Sequence, residues 1–194
     1  MNRDEVDALR ALLAPTGWPE RARTFARALR VSTARPGGLL LVGTPAQEPW
    51  HLAAHLDDEA RFSHIQELTP TLVRWTIPAG APDHLRVGLE RLEAARRGET
   101  LFVVSAETAP VPLLERVESA RRTGATVLAL NQGDPGLDGL AHETLTVAPE
   151  ATAPVSFTVA QHLVSAAAGE RAGSRRGVRE RLARLLDLVS GPSA

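Results

Sequence analysis

Two histidines four residues apart, His51 and His55 in "WHLAAHL", lead the chain's inventory of reactive side chains. On a helix that spacing puts both imidazoles on one face, and it is the spacing of a two-histidine metal site. A zinc-peptidase pattern would need glutamate directly after the first histidine, and Leu52 stands there. A third ligand would have to come from Asp57, Asp58 or His162. The simpler reading is a pair of partly exposed helix histidines, and no metal or cofactor is expected. His64, His84 and His142 read as loop or helix-start residues. Whole classes of chemistry are excluded by composition. The chain has no Cys and no Tyr, and all 22 of its Lys+Arg positions are Arg. There is thus no thiolate nucleophile, no Cys-ligated zinc, no phenolic acid or base, no lysine Schiff base and no P-loop lysine.

The elements that must position these residues alternate. Residues 39–56, "LLLVGTPAQEPWHLAAHL", read as a buried strand, a glycine, a short loop and a helix, the place where nucleotide- and phosphate-binding proteins usually keep their ligand. Only one glycine stands in that loop, beside Pro45, Glu48 and Pro49. Periodicity gives two helices before it, the first ending at Pro15 and the second spanning 19–31. Further strands are expected at 71–78, 100–105, 125–131 and 142–148. Helices are expected at 83–98, 111–124 and 153–169, with 83–98 the clearest.

Strands that are continuously apolar and alternate with helices predict an α/β fold: a doubly wound, flavodoxin-like, parallel five-stranded sheet covered on both faces. In that architecture ligands sit at the carboxyl ends of strands beside the switch in strand order. The loops to watch are therefore "GTPAQEP" and "SAETAP", after strands one and three. A G-x-G-x-x-G fingerprint and a G-x-S-x-G elbow are both absent.

With 194 residues and 43% hydrophobic content, one sizeable core is expected. The domain is placed at 1–170. The remainder, 171–194, reads as an amphipathic helix and tail, with Val178, Leu182, Leu185, Leu186 and Val189 on an Arg-flanked stripe that packs on the domain or on a second subunit. A formal charge of −1 gives no pull toward nucleic acid or membrane, so neither is expected as a partner. The N-terminus lacks the apolar core of a secretory signal and no apolar stretch is long enough to span a bilayer. A cytoplasmic protein is expected.

The run from "VVSAETAPVPLLERVESARRTGATVLALNQGDPGLDGLAHETLTV" to "FTVAQHLVSAA" resembles the SIS (sugar isomerase) domain family, most closely its phosphoheptose isomerase-like branch, over roughly residues 1–170. The resemblance lies in pattern more than in motif. It implies a sugar-phosphate cleft and a homo-oligomer, a dimer or tetramer with sites between subunits. The family's first loop has the form G-N-G-G-S, and here Gly43 is followed by Thr44, Pro45, Ala46 and Gln47. Its second loop cradles phosphate with S-T-S-G-x-S/T, and here Ser105, Ala106, Glu107, Thr108, Ala109 and Pro110 stand in its place. The phosphate motifs are degenerate. A carboxylate at Glu107 would repel a phosphate charge by about 4 kcal/mol at about 4 Å and an effective dielectric near 20. Pro110 and Pro112 also supply no N–H donors. Glu107 would instead accept from sugar hydroxyls or pair with an amine, assisted by Ser105 and Thr108; alternatively Thr108 is simply the helix N-cap.

In the same branch a glutamate on the helix after strand one and a histidine on the last helix act as base and acid. Matching "HLAAHL" to the family's "HFAAEL" puts His55 at the glutamate position, and "AQHL" puts His162 at the histidine. The resemblance thus implies His55 and His162 as the catalytic pair of an aldose–ketose isomerase, if one exists here. The reading that follows is a protein binding a carbohydrate derivative, phosphorylated or not, without classical isomerase activity. Its ligand residues are Gly43, Thr44, Gln47, Ser105, Glu107 and Thr108. Two alternatives stand beside it: a sugar-phosphate isomerase using His55 and His162, and a non-catalytic structural or partner-binding protein.

Overall fold

The computed structural model describes residues 3–82, 85–149 and 154–170, with side chains from residue 8 onward. Five strands form one all-parallel sheet: β1 (Leu39–Val42), β2 (Pro70–Val73), β3 (Thr100–Ser105), β4 (Thr126–Asn131) and β5 (Glu143–Thr146). Their order is β2-β1-β3-β4-β5, so the chain reverses direction of travel between β1 and β3. Register is in phase there, with Leu39 opposite Thr100 and Val42 opposite Val103.

The apolar runs are continuous because both sheet faces are covered. Leu39, Leu41, Phe102, Val104, Leu128 and Leu130 face one core layer. It is closed by α2 (Trp18–Ser32), α3 (Trp50–Ser63) and α7 (Phe157–Gly169), with α1 (Arg3–Leu13) at its margin. The alternate residues Leu40, Val42, Leu101, Val103, Val127 and Ala129 face the other layer. That layer is closed by α4 (Glu90–Glu93), α5 (Val111–Arg122) and α6 (Pro135–Leu140). The period-two alternation of a strand sorts the two sets. Phe25 of α2 and Phe102 of β3 sit with ring centroids 5.3 Å apart in the first layer. Arg30 fastens α2 to the end of α7 through the carbonyls of Ala167 (2.6 Å) and Ala168 (3.0 Å).

Several expected boundaries move, each for an identifiable reason. The helix expected over 83–98 is, within its described part 85–98, the single turn Glu90–Glu93. Residues just before it are drawn to the sheet edge instead: Arg74 N–H donates to the Val87 carbonyl at 2.8 Å, and Arg74 and Gly88 form a parallel bridge. The Glu90 carboxylate then accepts from Gly88 N–H, and Glu99 accepts from Arg96 N–H, so side chains end the helix on both sides. Of the periodic leucines, Leu92 lies buried within that turn, while Leu89 is its N-cap residue and Leu85 lies in the loop before it. The strand expected over 71–78 stops at Val73, because the Glu48 carboxylate takes the next inward donor, Trp75 N–H, at 3.0 Å. The last helix begins at Phe157, where Ser156 Oγ accepts from Val159 N–H. An unexpected helix, α6, follows Asp134-Pro135, an N-cap residue and an N1 proline whose signal was present in the sequence. The amphipathic stretch at 171–194 lies outside the described residues.

Candidate functional site

The candidate ligand loops lie at the carboxyl ends of β1 and β3. After β1 the chain closes a tight turn in which Thr44 N–H donates to Gln47 O and Gln47 N–H to Thr44 O, both at 3.2 Å. Only glycine fits at 43: an added Cβ would fall inside contact distance of the Gln47 carbonyl oxygen and 2.8 Å from Pro49 Cδ. The single glycine therefore serves loop closure, and its carbonyl is held by Trp75 Nε1 at 2.9 Å. Glu48, next in the loop, accepts from Arg74, Trp75 N–H and Trp50 Nε1, which fixes the entry to α3.

After β3, the Ser105 hydroxyl donates to the Glu107 carbonyl, so it closes its own turn. Thr44, buried like Ser105, donates its hydroxyl to Glu107 Oε1 at 2.9 Å. Asp134 caps α6 through Gly136 and Leu137 N–H groups, and its other oxygen takes Ala109 N–H at 2.6 Å. The Thr44 and Ser105 hydroxyls and the Ala109 N–H are thus engaged by the chain's own oxygens. Thr108 is exposed and does not cap α5, whose N-cap is Pro110 with no side-chain hydrogen bond.

Three of the expected ligand residues line two separate pockets, while Gly43, Thr44 and Ser105 line neither. One, of about 190 Å³, is lined by Glu107 and Thr108 with Gln132, Gly133 and Asp134. The other, of about 220 Å³, is lined by Gln47 and Glu48 with His51, Val104, Thr158 and Gln161. Thr158 and Gln161, one turn apart on α7, were not anticipated; their spacing beside His162 was the available signal.

The histidines come together. His51 and His55 lie a turn apart on α3, whose opposite face buries Leu52 and Leu56. His162 faces them from α7, with its ring centroid 4.5 Å from that of His55 and 5.9 Å from that of His51. The three offer one nitrogen each, all within 4.8 Å of one another. Among the described residues they are the one set of three His, Cys, Asp or Glu side chains spaced to share an ion. Burial lowers the pKa of His55 below the usual imidazole value, reinforced by His51 and opposed by Asp58. His162 is lowered in the same way, first by burial and then by His55 and His51. Both are therefore neutral at pH 7 and able to accept a proton or ligate a metal.

No family profile and no curated protein matches the sequence. Among solved structures, the sugar isomerase domain of an RpiR transcription factor from Sphaerobacter thermophilus is similar over 87% of this chain and 87% of that one, with a TM-score of 0.51 and 17% identity. The fold is that of a sugar isomerase domain. A second SIS-type likeness, to a candidate phosphosugar isomerase from Silicibacter pomeroyi DSS-3, covers 90% of this chain but 52% of that one, with a TM-score of 0.50 and 18% identity. The chain spans about half the length of that protein. In this SIS fold the Thr44–Glu107 bond lies at the β1/β3 switch point, where α/β sheets bind ligands. Among the described residues no helix is long and apolar enough to cross a membrane.

Proposed function

We propose that this domain binds a carbohydrate derivative at the β1/β3 switch point and does not catalyse classical aldose–ketose isomerisation. The bond from Thr44 to Glu107 carries this reading. It ties the two ligand loops together through a carboxylate, which suits sugar hydroxyls or an amine better than a phosphate dianion. The side chains of Gln47, Thr158 and Gln161 add polar groups that match a polyol in both donor and acceptor character. The domain works in the cytoplasm as a homo-oligomer, a reading supported by the large exposed apolar side chains Leu12, Val31 and Phe62 on its first three helices.

The test is a thermal-shift series with neutral sugars, amino sugars, sugar phosphates and nucleotide sugars. A ligand at 100 times its dissociation constant adds about 2.7 kcal/mol, which at roughly 2–4 °C per kcal/mol raises Tm by roughly 5–10 °C. Silence across the series, in a folded protein of defined mass by light scattering, leaves the partner-binding alternative.

A second reading, isomerisation, is favoured by one observation: two neutral imidazoles on facing helices 4.5 Å apart. A base and an acid are the groups such a reaction requires. It demands turnover of an aldose or ketose phosphate that drops by orders of magnitude in both His55→Ala and His162→Ala.

A further inference from the structure

The candidate ligand loops occupy the carboxyl end of the sheet; the amino end is built differently. Three loops enter neighbouring strands there: residues 34–38, "ARPGG", lead toward β1, residues 95–99, "ARRGE", into β3, and residues 121–125, "RRTGA", into β4. They are joined to one another. Ala34 N–H donates to the Gly98 carbonyl at 3.0 Å, and Thr123 Oγ1 donates to the Ala95 carbonyl at 2.7 Å. A Cβ added at Gly124 would lie 3.5 Å from Arg97 Cβ. Neighbouring strands are about 4.8 Å apart, so the three loops make one row about 10 Å long.

The row is basic. Its five arginines, Arg35, Arg96, Arg97, Arg121 and Arg122, are all exposed, whereas its one carboxylate, Glu99, is 3% exposed. Glu99 turns inward, where it accepts from Arg35, from Arg91 and from Arg96 N–H. That holds Arg35 in place with its side chain still 58% exposed and guanidinium donors to spare. Arg121 is steadied by the Gly139 carbonyl at 3.0 Å. The side chains of Arg96, Arg97 and Arg122 have no ion pair or hydrogen bond among the described residues. A formal charge of −1 over the whole chain hides this local excess.

We propose that this row is a docking face for an acidic, extended segment of a partner protein. Arginine forks pair bidentately with carboxylates. An extended peptide carries every second side chain on one face, about 6.6 Å apart, so about two or three carboxylates match the row. Nucleic acid is the poorer match. The three loops hold no aromatic side chain on which the bases of a single strand would stack. A duplex carries one charge per about 1.7 Å along its whole length, and on either approach it would meet the exposed Glu93, Glu115 and Glu118 of α4 and α5. A short acidic segment ends before it reaches them. This face is independent of the carbohydrate reading, whose cleft lies at the other end of the sheet.

The experiment is fluorescence anisotropy of a labelled peptide of alternating Glu and Ser with the full-length protein, at low and at physiological salt. The peptide binds at low salt and is released as salt rises, and a peptide of alternating Lys and Ser does not bind. Arg97→Glu and Arg122→Glu each weaken binding by roughly tenfold, whereas Arg97→Lys and Arg122→Lys stay within about threefold of wild type. Both positions are exposed and unpaired, so these variants fold. Arg21→Glu makes the same change in net charge beside the carboxyl end of β5, where Arg21 donates to the Thr146 carbonyl, and leaves binding unchanged. In the wild type, the backbone amides of Gly98 and Gly124 shift in ¹H–¹⁵N spectra as the peptide is added. Absence of binding at low salt overturns the proposal. Binding that survives both charge reversals overturns it as well, and assigns the peptide to the arginines of 171–194. An oligonucleotide of equal charge that binds more tightly and displaces the peptide replaces the protein partner with a nucleic acid.

Discussion

Thr44 and Glu107, 63 residues apart in sequence, share a 2.9 Å hydrogen bond that joins the loop after β1 to the loop after β3. The bond spans the point where strand order reverses, and its acceptor is a carboxylate where an anion-binding loop would keep donors free. Together with the Ser105 hydroxyl bond to the Glu107 backbone carbonyl and the Ala109 N–H bond to the Asp134 carboxylate, it leaves the switch point closed on the chain's own oxygens.

Removing that carboxylate opens the loop to anions. Glu107→Ala frees the Thr44 hydroxyl and removes a repulsion of up to about 4 kcal/mol at about 4 Å. Solvent screening reduces this at an exposed side chain, and an increase of about tenfold in affinity for inorganic phosphate is expected. Isothermal titration measures it; equal affinities in wild type and variant would place the carboxylate away from the anion.

Gly43→Ala tests whether this glycine serves the turn. The new methyl group meets the Gln47 carbonyl and Pro49, and overpacking of this kind costs about 1–3 kcal/mol. At roughly 2–4 °C per kcal/mol, Tm falls by several degrees. A variant as stable as wild type would show that the turn relaxes freely.

Glu48 and Arg74 form an ion pair at 3.1 Å with both side chains 14% exposed. Glu48 also holds Trp75 N–H and Trp50 Nε1, and Arg74 lies over the Trp50 ring at 4.5 Å. Glu48→Ala leaves a largely buried guanidinium without its carboxylate, at a cost of about 3–5 kcal/mol. Glu48→Gln keeps an acceptor and costs less. Urea denaturation of the two variants should rank them in that order.

Acid stability depends on Glu99, which is buried with Arg91 at 2.6 Å and Arg35 at 2.7 Å. Burial alone would raise its pKa, but the hydrogen bonds from Arg91, Arg35 and Arg96 N–H outweigh it and lower the value. A carboxyl lowered on folding contributes stability that is fully present above its unfolded pKa of about 4.3 and is lost as pH falls through the folded pKa. Stability of the wild type therefore drops as pH is lowered from about 5 into that range. In Glu99→Gln the drop is shallower and the stability at pH 7 is lower. Denaturant midpoints taken across pH measure both effects, and parallel curves would remove Glu99 from the acid response.

Local pattern was enough for much of the framework. The apolar runs "LLLV" and "TLFVVS" marked strands buried on both faces, and strict alternation with helices marked the sheet as parallel. The same reasoning failed over 83–98, because leucines at helical spacing fill a packed loop as well as a helix face. What distinguished the two was the pull of the sheet edge on Val87 and Gly88, and that pull comes from Arg74, which is distant in sequence. Glycine 43 was legible as a special position, but its reason was not, since the clash with Gln47 exists only once the turn has closed.

By itself the sequence determined which residues turn inward, because side-chain periodicity on a strand or helix is a local property of the backbone. It also fixed which chemistries are absent, because no fold can supply a thiol, an amine or a phenol that the chain lacks. Tertiary structure decided which inward faces meet. Packing α3 and α7 on the same sheet face brought His162 to His51 and His55, and closing two loops at one switch point brought Glu107 to Thr44. Periodicity specifies a buried stripe but not its partner, so neither meeting could be read from spacing; each is set by the order in which the strands assemble.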